Sequence, residues 1–277
     1  MAAFTPTSLP PLAQSLAERL LDVPGVLGVA LGGSYATGTA TPSSDLDLSL
    51  AYELARPLDL ATLTALCREL DDGGKATPAA PGGWGPWVDG GAWLTVGGQR
   101  VDFIYRELGR VERSVQDALA GRVELHIQVG HPHGIHAHHY AAELASCALL
   151  RDPSGRLEQL RAEMHEYPSR LAAALEAQYG WAPEFWLDAA EKGLKRGDLH
   201  YAQGCAYQAV MAQVQVLCAR AGVWLLNEKG ALARAGGCTG APERFAERTQ
   251  AALSILDLAA LRALAAEVSA GSPAPDR

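Results

Sequence analysis

Two aspartates separated by one apolar residue, Asp45-Leu46-Asp47, follow a Gly32-Gly33-Ser34 turn in the stretch LGGSYATGTATPSSDLDLSL, residues 31–50. Glycines let backbone N–H groups close on a ligand, and Ser34 adds a hydroxyl; phosphate oxygens suit such a nest. In an extended strand Asp45 and Asp47 point to one face, about 6.5–7 Å apart along the backbone. Two carboxylates on one face repel unless a positive charge lies between them. A hard divalent cation meets that need, and Mg²⁺ commonly takes one or two carboxylates together with substrate phosphates. A third carboxylate, Asp102, sits in QRVDFIY between Val101 and Phe103. Three carboxylates converging from neighbouring strands would hold two metals about 3.5–4 Å apart, the arrangement that serves in-line phosphoryl or nucleotidyl transfer. Alone, the turn reads as an ordinary tight turn and Asp-x-Asp as a strand with one solvated face.

The flanking residues supply elements able to position these groups. Leu12–Leu21 has the period of an amphipathic helix, and GVLGVAL (25–31) reads as a buried strand. DLDLSLAY (45–52) alternates strictly, as a strand does, and DLATLTALCREL (59–70) returns to helical spacing. A Gly/Pro-rich run at 71–87 is loop. Two strand-like runs around Gly97-Gly98 predict a hairpin. From about residue 151 the chain becomes Ala/Leu-rich with helical spacing, RDPSGR (151–156) being the junction. Asp198 is placed to cap one helix, and Pro183 and Pro242 to open two others. The expected fold class is thus α/β (α+β): residues 1–150 form a small mixed sheet flanked by helices, and residues 151–277 an all-α helical bundle.

Composition narrows the partners. Of 277 residues, 31 are Asp or Glu and 23 Lys or Arg, a formal net charge of −8. That balance argues against a broad phosphate-tracking surface for DNA or RNA. The hydrophobic content of 48% is ample for a core. The N-terminal stretch lacks a basic segment leading into an apolar run, and no apolar run approaches the roughly 20 residues that span a bilayer. Five scattered cysteines, none in C-x-x-C spacing, read as reduced buried thiols. A cytoplasmic protein is expected.

The pattern Gly32-Gly33-Ser34 followed by Ser44-Asp45-Leu46-Asp47-Leu48 resembles the DNA polymerase β-type nucleotidyltransferase superfamily. More narrowly it is similar to small bacterial nucleotidyltransferases related to the aminoglycoside and lincosamide enzymes and to the minimal nucleotidyltransferases. The resemblance covers residues 25–105, and implies that Gly33 and Ser34 bind a triphosphate and that Asp45, Asp47 and Asp102 bind Mg²⁺ at a two-ion site. It further implies NTP as co-substrate, a small hydroxyl-bearing acceptor such as an aminoglycoside-like molecule, AMP as the group transferred and pyrophosphate as product. The helical half would serve the acceptor. Transfer of AMP to a protein hydroxyl, and a nucleotide-binding regulator without turnover, are the alternatives. GGSYATG is neither a Walker A loop, lacking Gly-Lys-Ser/Thr, nor a dinucleotide-binding G-x-G-x-x-G turn.

Two further clusters stand out. His131, His133, His136, His138 and His139 crowd GHPHGIHAHHY (130–140), without the spacing of a zinc helix; a polar loop is the plain reading, with substrate or phosphate contact the functional one. Asp188 and Lys192 lie four apart on FWLDAAEKGLKRGD and share a helix face. The related antibiotic-modifying enzymes place a glutamate base and a lysine in that way, so the resemblance makes Asp188 a candidate general base and Lys192 a nucleotide contact, with Glu184 and Glu191 as rivals for the base. An i,i+4 ion pair on a solvated face is the structural alternative. Lys229 in LNEKG reads equally as a ligand contact or as a helix-end cation.

Overall fold

The structure is a computed structural model that describes residues 9–271. In chain order its elements are α1 (Pro11–Leu21), β1 (Gly28–Leu31), α2 (Gly33–Thr37), β2 (Leu46–Tyr52), α3 (Leu60–Leu70), β3 (Gly91–Val96), β4 (Gln99–Glu107), α4 (Leu108–Ala120), β5 (Leu125–Gln128) and β6 (His131–His136). There follow α5 (His139–Ser146), β7 (Ala148–Arg151), α6 (Arg156–Glu163), α7 (Ser169–Tyr179), α8 (Ala182–Lys195), α9 (Leu199–Arg220), α10 (Ala231–Gly236), α11 (Phe245–Ile255) and α12 (Leu258–Ala270). They form two compact units. One comprises the described residues up to Gln116 with Gln128–Gly130 and His138–His165; the other comprises Asp117–Ile127, His131–Ala137 and the residues from Glu166 on.

The first unit is built on a five-stranded sheet in the order β3-β4-β2-β1-β7. Strands β2 and β4 are parallel, and the β1–β2, β1–β7 and β3–β4 pairs are antiparallel. Strict alternation gives the central strands two different faces. Leu46, Leu48, Leu50 and Tyr52 of β2, with Val101, Phe103 and Tyr105 of β4, are almost wholly buried in one cluster with Leu16 and Leu20 of α1 and Leu63 of α3. The residues between them, Asp47 and Ser49 on β2 and Asp102 and Ile104 on β4, line the opposite, half-buried face.

Local chemistry ties the loops to this sheet. Asp59 caps α3, its Oδ1 accepting from the Ala61 and Thr62 N–H groups at 3.0 Å. The β3–β4 turn is made by Gly97 and Gly98, both at positive φ (57° and 80°), whose N–H groups donate to the two oxygens of Asp72. Farther along β4, Arg106 is buried and donates from Nε and Nη2 to the two oxygens of Glu143, each at 2.6 Å, while its guanidinium lies over the Tyr140 ring.

In the second unit β5 and β6 pair as a two-stranded sheet. Helix α9 is the axis: Ala209–Ala219 is buried all round, the mark of a central helix rather than an amphipathic one, and α7, α8, α10, α11 and α12 pack on it. Asp198 caps it through the Tyr201 N–H at 3.4 Å. At its other end Arg220 donates to Glu176 of α7 and to the Val268 carbonyl of α12.

The mixed sheet, the Gly97-Gly98 hairpin, the α1 and α3 helices and the helical character of the later chain agree with the sequence reading. Three details differ. Asp45 precedes β2 rather than lying in it, so only Asp47 is fixed by the alternation. The stretch 130–140 is not a polar loop but strand β6 and the start of α5, with His133, His136, His138 and His139 buried. Pro242 lies ahead of α11 rather than in its first turn, although Pro183 does open α8.

The buried ion pair makes a stability prediction. Burial pushes the Glu143 carboxyl up, but Arg106 and then His139 outweigh it and hold the group well below the usual carboxylate range. A carboxylate with a depressed folded-state pKa stabilises above its unfolded value, about 4.3, and the contribution is lost as pH falls below that. Glu143→Gln, which strands a buried guanidinium, is expected to cost about 2–3 kcal/mol, less than the 3–5 of a fully buried pair because Glu143 is 28% exposed. Urea unfolding should show that deficit at pH 7 and its shrinkage below about pH 4.

Candidate active site

The parallel register of β2 on β4 sets Asp47 directly opposite Asp102. Residues opposite one another on adjacent strands share a face, so the two carboxylates project side by side about 4.8 Å apart at their backbones. On the far side of Asp47 the chain leaves β1 into the glycine turn, where the Gly32 N–H donates to the Asp47 carbonyl at 2.9 Å. Gly33 then takes φ +60°, and a Cβ built there would lie 1.9 Å from Asp47 Oδ2. The turn is therefore folded onto the Asp47 carboxylate so closely that only glycine fits. Ser34 follows, half-buried in the first turn of α2.

Asp45 is held differently. Arg100, on β4, approaches its Oδ1 at 2.6 Å through Nε. The same arginine donates from Nη2 to the Ser43 carbonyl, and Gln99 Nε2 donates to the Ser44 carbonyl at 2.7 Å. The start of β4 thus straps down the segment that carries Asp45, and sets a fixed cation against it.

Gly33, Ser34, Asp45, Asp47 and Asp102 thus all lie in the sheet unit, with Gly33 against Asp47 and Asp47 opposite Asp102. Asp188 and Lys192 lie in the helical unit, on α8. There Asp188 is paired with Arg262 of α12 at 2.6 Å rather than with Lys192, and Glu191 binds Arg262 and Lys195. Both Asp188 and Lys192 line a cavity of about 390 Å³ with Phe185, Arg196, Asp198 and Tyr201. Among the histidines, His133 Nδ1 faces Gln208 Oε1 at 3.0 Å and its N–H donates to Glu228 Oε1 at 2.7 Å, while His136 Nε2 meets the Tyr179 hydroxyl at 2.7 Å. Glu228, in the LNEKG stretch, holds β6 through His133 and His131, a role that periodicity does not expose because it is made by a loop residue. Lys229 is exposed.

Among the described residues no group of three or more His, Cys, Asp or Glu side chains is gathered as a ready metal site. The oxygen chemistry nonetheless fits Mg²⁺: two neighbouring carboxylates, one of them cradled by a turn that excludes any side chain, leave the remaining ligand positions to phosphates and water. Asp45 has its Oδ1 against Arg100.

The two glycines of the turn should behave unequally. Gly33→Ala forces a left-handed backbone on a residue with a Cβ, about 1–2 kcal/mol, and displaces the Asp47 carboxylate. Gly32→Ala meets its nearest atom at 3.9 Å with ordinary φ and is expected to stay within about 0.5 kcal/mol of the parent. Urea midpoints check the stabilities, and Mn²⁺ titration followed by electron paramagnetic resonance checks that Gly33→Ala alone weakens cation binding.

Comparison with known proteins agrees with this geometry. Residues 12–72, which carry Gly33, Ser34, Asp45 and Asp47, match the nucleotidyltransferase domain family. A solved nucleotidyltransferase-like protein from Exiguobacterium sibiricum is 10% identical and aligns over 92% of this chain and 73% of its own, with a TM-score of 0.44, too distant to carry any argument. No curated protein matches the chain in sequence. The glycine turn and the first two aspartates thus fall in a segment similar to the nucleotidyltransferase domain, a match that supports a transferase.

Proposed function

We propose that the protein is a Mg²⁺-dependent nucleotidyltransferase that moves AMP from ATP to a hydroxyl of a small, cationic, aminoglycoside-like acceptor and releases pyrophosphate. The side-by-side placement of Asp47 and Asp102 carries this reading. In the reaction the acceptor oxygen forms a bond to the α-phosphorus, the bond from that phosphorus to the bridging oxygen of pyrophosphate breaks, and the hydroxyl proton is lost to a base. Mg²⁺, when bound, neutralises the phosphate charge and favours loss of that proton.

The chain's own residues have separable tasks. Gly33 and Ser34 hold phosphate oxygens through backbone N–H groups and a hydroxyl, and the turn's contact with Asp47 fixes the distance between phosphates and carboxylates. Asp47 and Asp102 supply the oxygen ligands. Asp102, on the strand farther from the turn, faces the side from which a hydroxyl must arrive. Asp45, whose Oδ1 is held by Arg100, would supply a further oxygen ligand to the cation. An acceptor bearing amines suits a net charge of −8 and the acidic row.

Calorimetry with each of the four NTPs, with Mg²⁺ present or chelated, tests this reading. The wild type should bind ATP only with Mg²⁺, and Asp45→Asn/Asp47→Asn should lose that binding by at least about 100-fold, the cost of removing two charged ligands. Equal binding by the double variant would overturn the assignment of these carboxylates.

A further inference from the structure

The row of functional groups across the sheet does not end at Asp102. In the antiparallel pairing of β3 with β4, Trp93 is the direct partner of Asp102, on the same face and one strand farther from the glycine turn. Trp93 is 66% exposed. The Trp84 ring stacks on it, with centroids 4.4 Å apart and planes within 14°. The order along this line is therefore glycine turn, Asp47, Asp102, stacked indoles, at about 4.8 Å per strand.

The stack is built, not incidental. Trp84 comes from the Gly/Pro-rich loop before β3, and buried side chains hold that loop from behind. Gln128 donates from Nε2 to the Trp84 carbonyl at 3.1 Å, and Tyr140 donates from its hydroxyl to the Trp87 carbonyl. Asp89, 2% exposed, accepts from the Tyr52 hydroxyl at 2.5 Å and from the Gly82 N–H at 3.1 Å. A side chain at Gly91 would come within 3.0 Å of the Trp84 ring and 1.8 Å of the Phe103 carbonyl oxygen, so glycine there makes room for the indole. A buried scaffold thus presents a large aromatic surface outward, beside an acid row.

In-line displacement fixes what belongs there. The attacking and leaving oxygens lie on opposite sides of the reacting phosphorus. With the triphosphate on the glycine turn, pyrophosphate departs toward Gly33, and the incoming hydroxyl must come from beyond Asp102. That is where the indoles lie. On these grounds, and resting on the transferase reading above, we propose that the Trp84–Trp93 stack is the platform on which a ring of the acceptor lies. The acceptor is then a molecule with a ring carrying a broad C–H face, which packs on an indole, and with ammonium groups, which the indole faces and the neighbouring carboxylates both attract.

The test separates platform from nucleotide site. Neamine, an aminocyclitol bearing one amino sugar, is titrated calorimetrically into the full chain. The titration is run alone and with saturating Mg²⁺ and an ATP analogue whose α,β-bridge is methylene; the same analogue is titrated separately. Trp93→Ala should weaken neamine binding about tenfold and leave the analogue's Kd within about twofold, while Trp93→Phe recovers most of the loss. Trp84→Ala, which removes the supporting ring, gives a second and smaller loss in the same direction. Far-UV circular dichroism and urea midpoints confirm that the variants fold. Neamine binding untouched by Trp93→Ala, absent from the wild type, or spared while the analogue's Kd rises would each overturn the platform. Absence of Mg²⁺-dependent analogue binding in the wild type would instead remove the transferase reading, a result visible in the nucleotide arm alone.

Discussion

The parallel register of β2 on β4 sets Asp47 and Asp102 side by side on adjacent strands, and the rest of the candidate site depends on it. The register between β2 and β4 enforces the pairing, because the leucines and aromatics of both strands are committed to the core behind it. Slipping by one residue would turn Leu46, Leu48 and Leu50 outward and Asp47 inward. The hydrophobic core therefore holds the two acids side by side. Function and fold meet in that register.

The surroundings follow the same logic. Gly33 adopts a left-handed turn because the space a side chain would need is taken by Asp47 Oδ2. Arg100 holds Asp45, the third acid, as an ion pair. Beyond the acids, the Gly/Pro-rich loop that a composition reading passes over as connection is the part fixed by Asp89, Gln128 and Tyr140. Loops that carry function on a rigid scaffold are pinned in this way.

How much of this was legible beforehand depended on the range of the interaction. Asp45, Asp47 and Gly33 could be singled out because turn and strand chemistry are local, and Asp102 because its own strand alternates cleanly. The Gly97-Gly98 turn was equally readable, being specified by two residues. The pairing of Asp47 with Asp102, by contrast, depends on a parallel register that no local pattern encodes. The histidine stretch misled for a related reason: polar residues look like loop until Gln208, Glu228 and Tyr179, distant in the chain, satisfy them as a strand. Asp188 and Lys192 share a helix face as expected, yet Arg262, also far along the chain, is the partner Asp188 takes. Helix α4 and strand β7 were passed over; β7 has four residues, too few for periodicity to declare itself.

The most direct test of the central claim is a crystal structure of the full chain grown with Mn²⁺ and the methylene-bridged ATP analogue, with the metal located by its anomalous scattering. The account predicts an Mn²⁺ in coordination contact with carboxylate oxygens of both Asp47 and Asp102 and with phosphate oxygens held at Gly33 and Ser34. A nucleotide and metal bound away from these two aspartates, or bound with one of them pointing elsewhere, would contradict it.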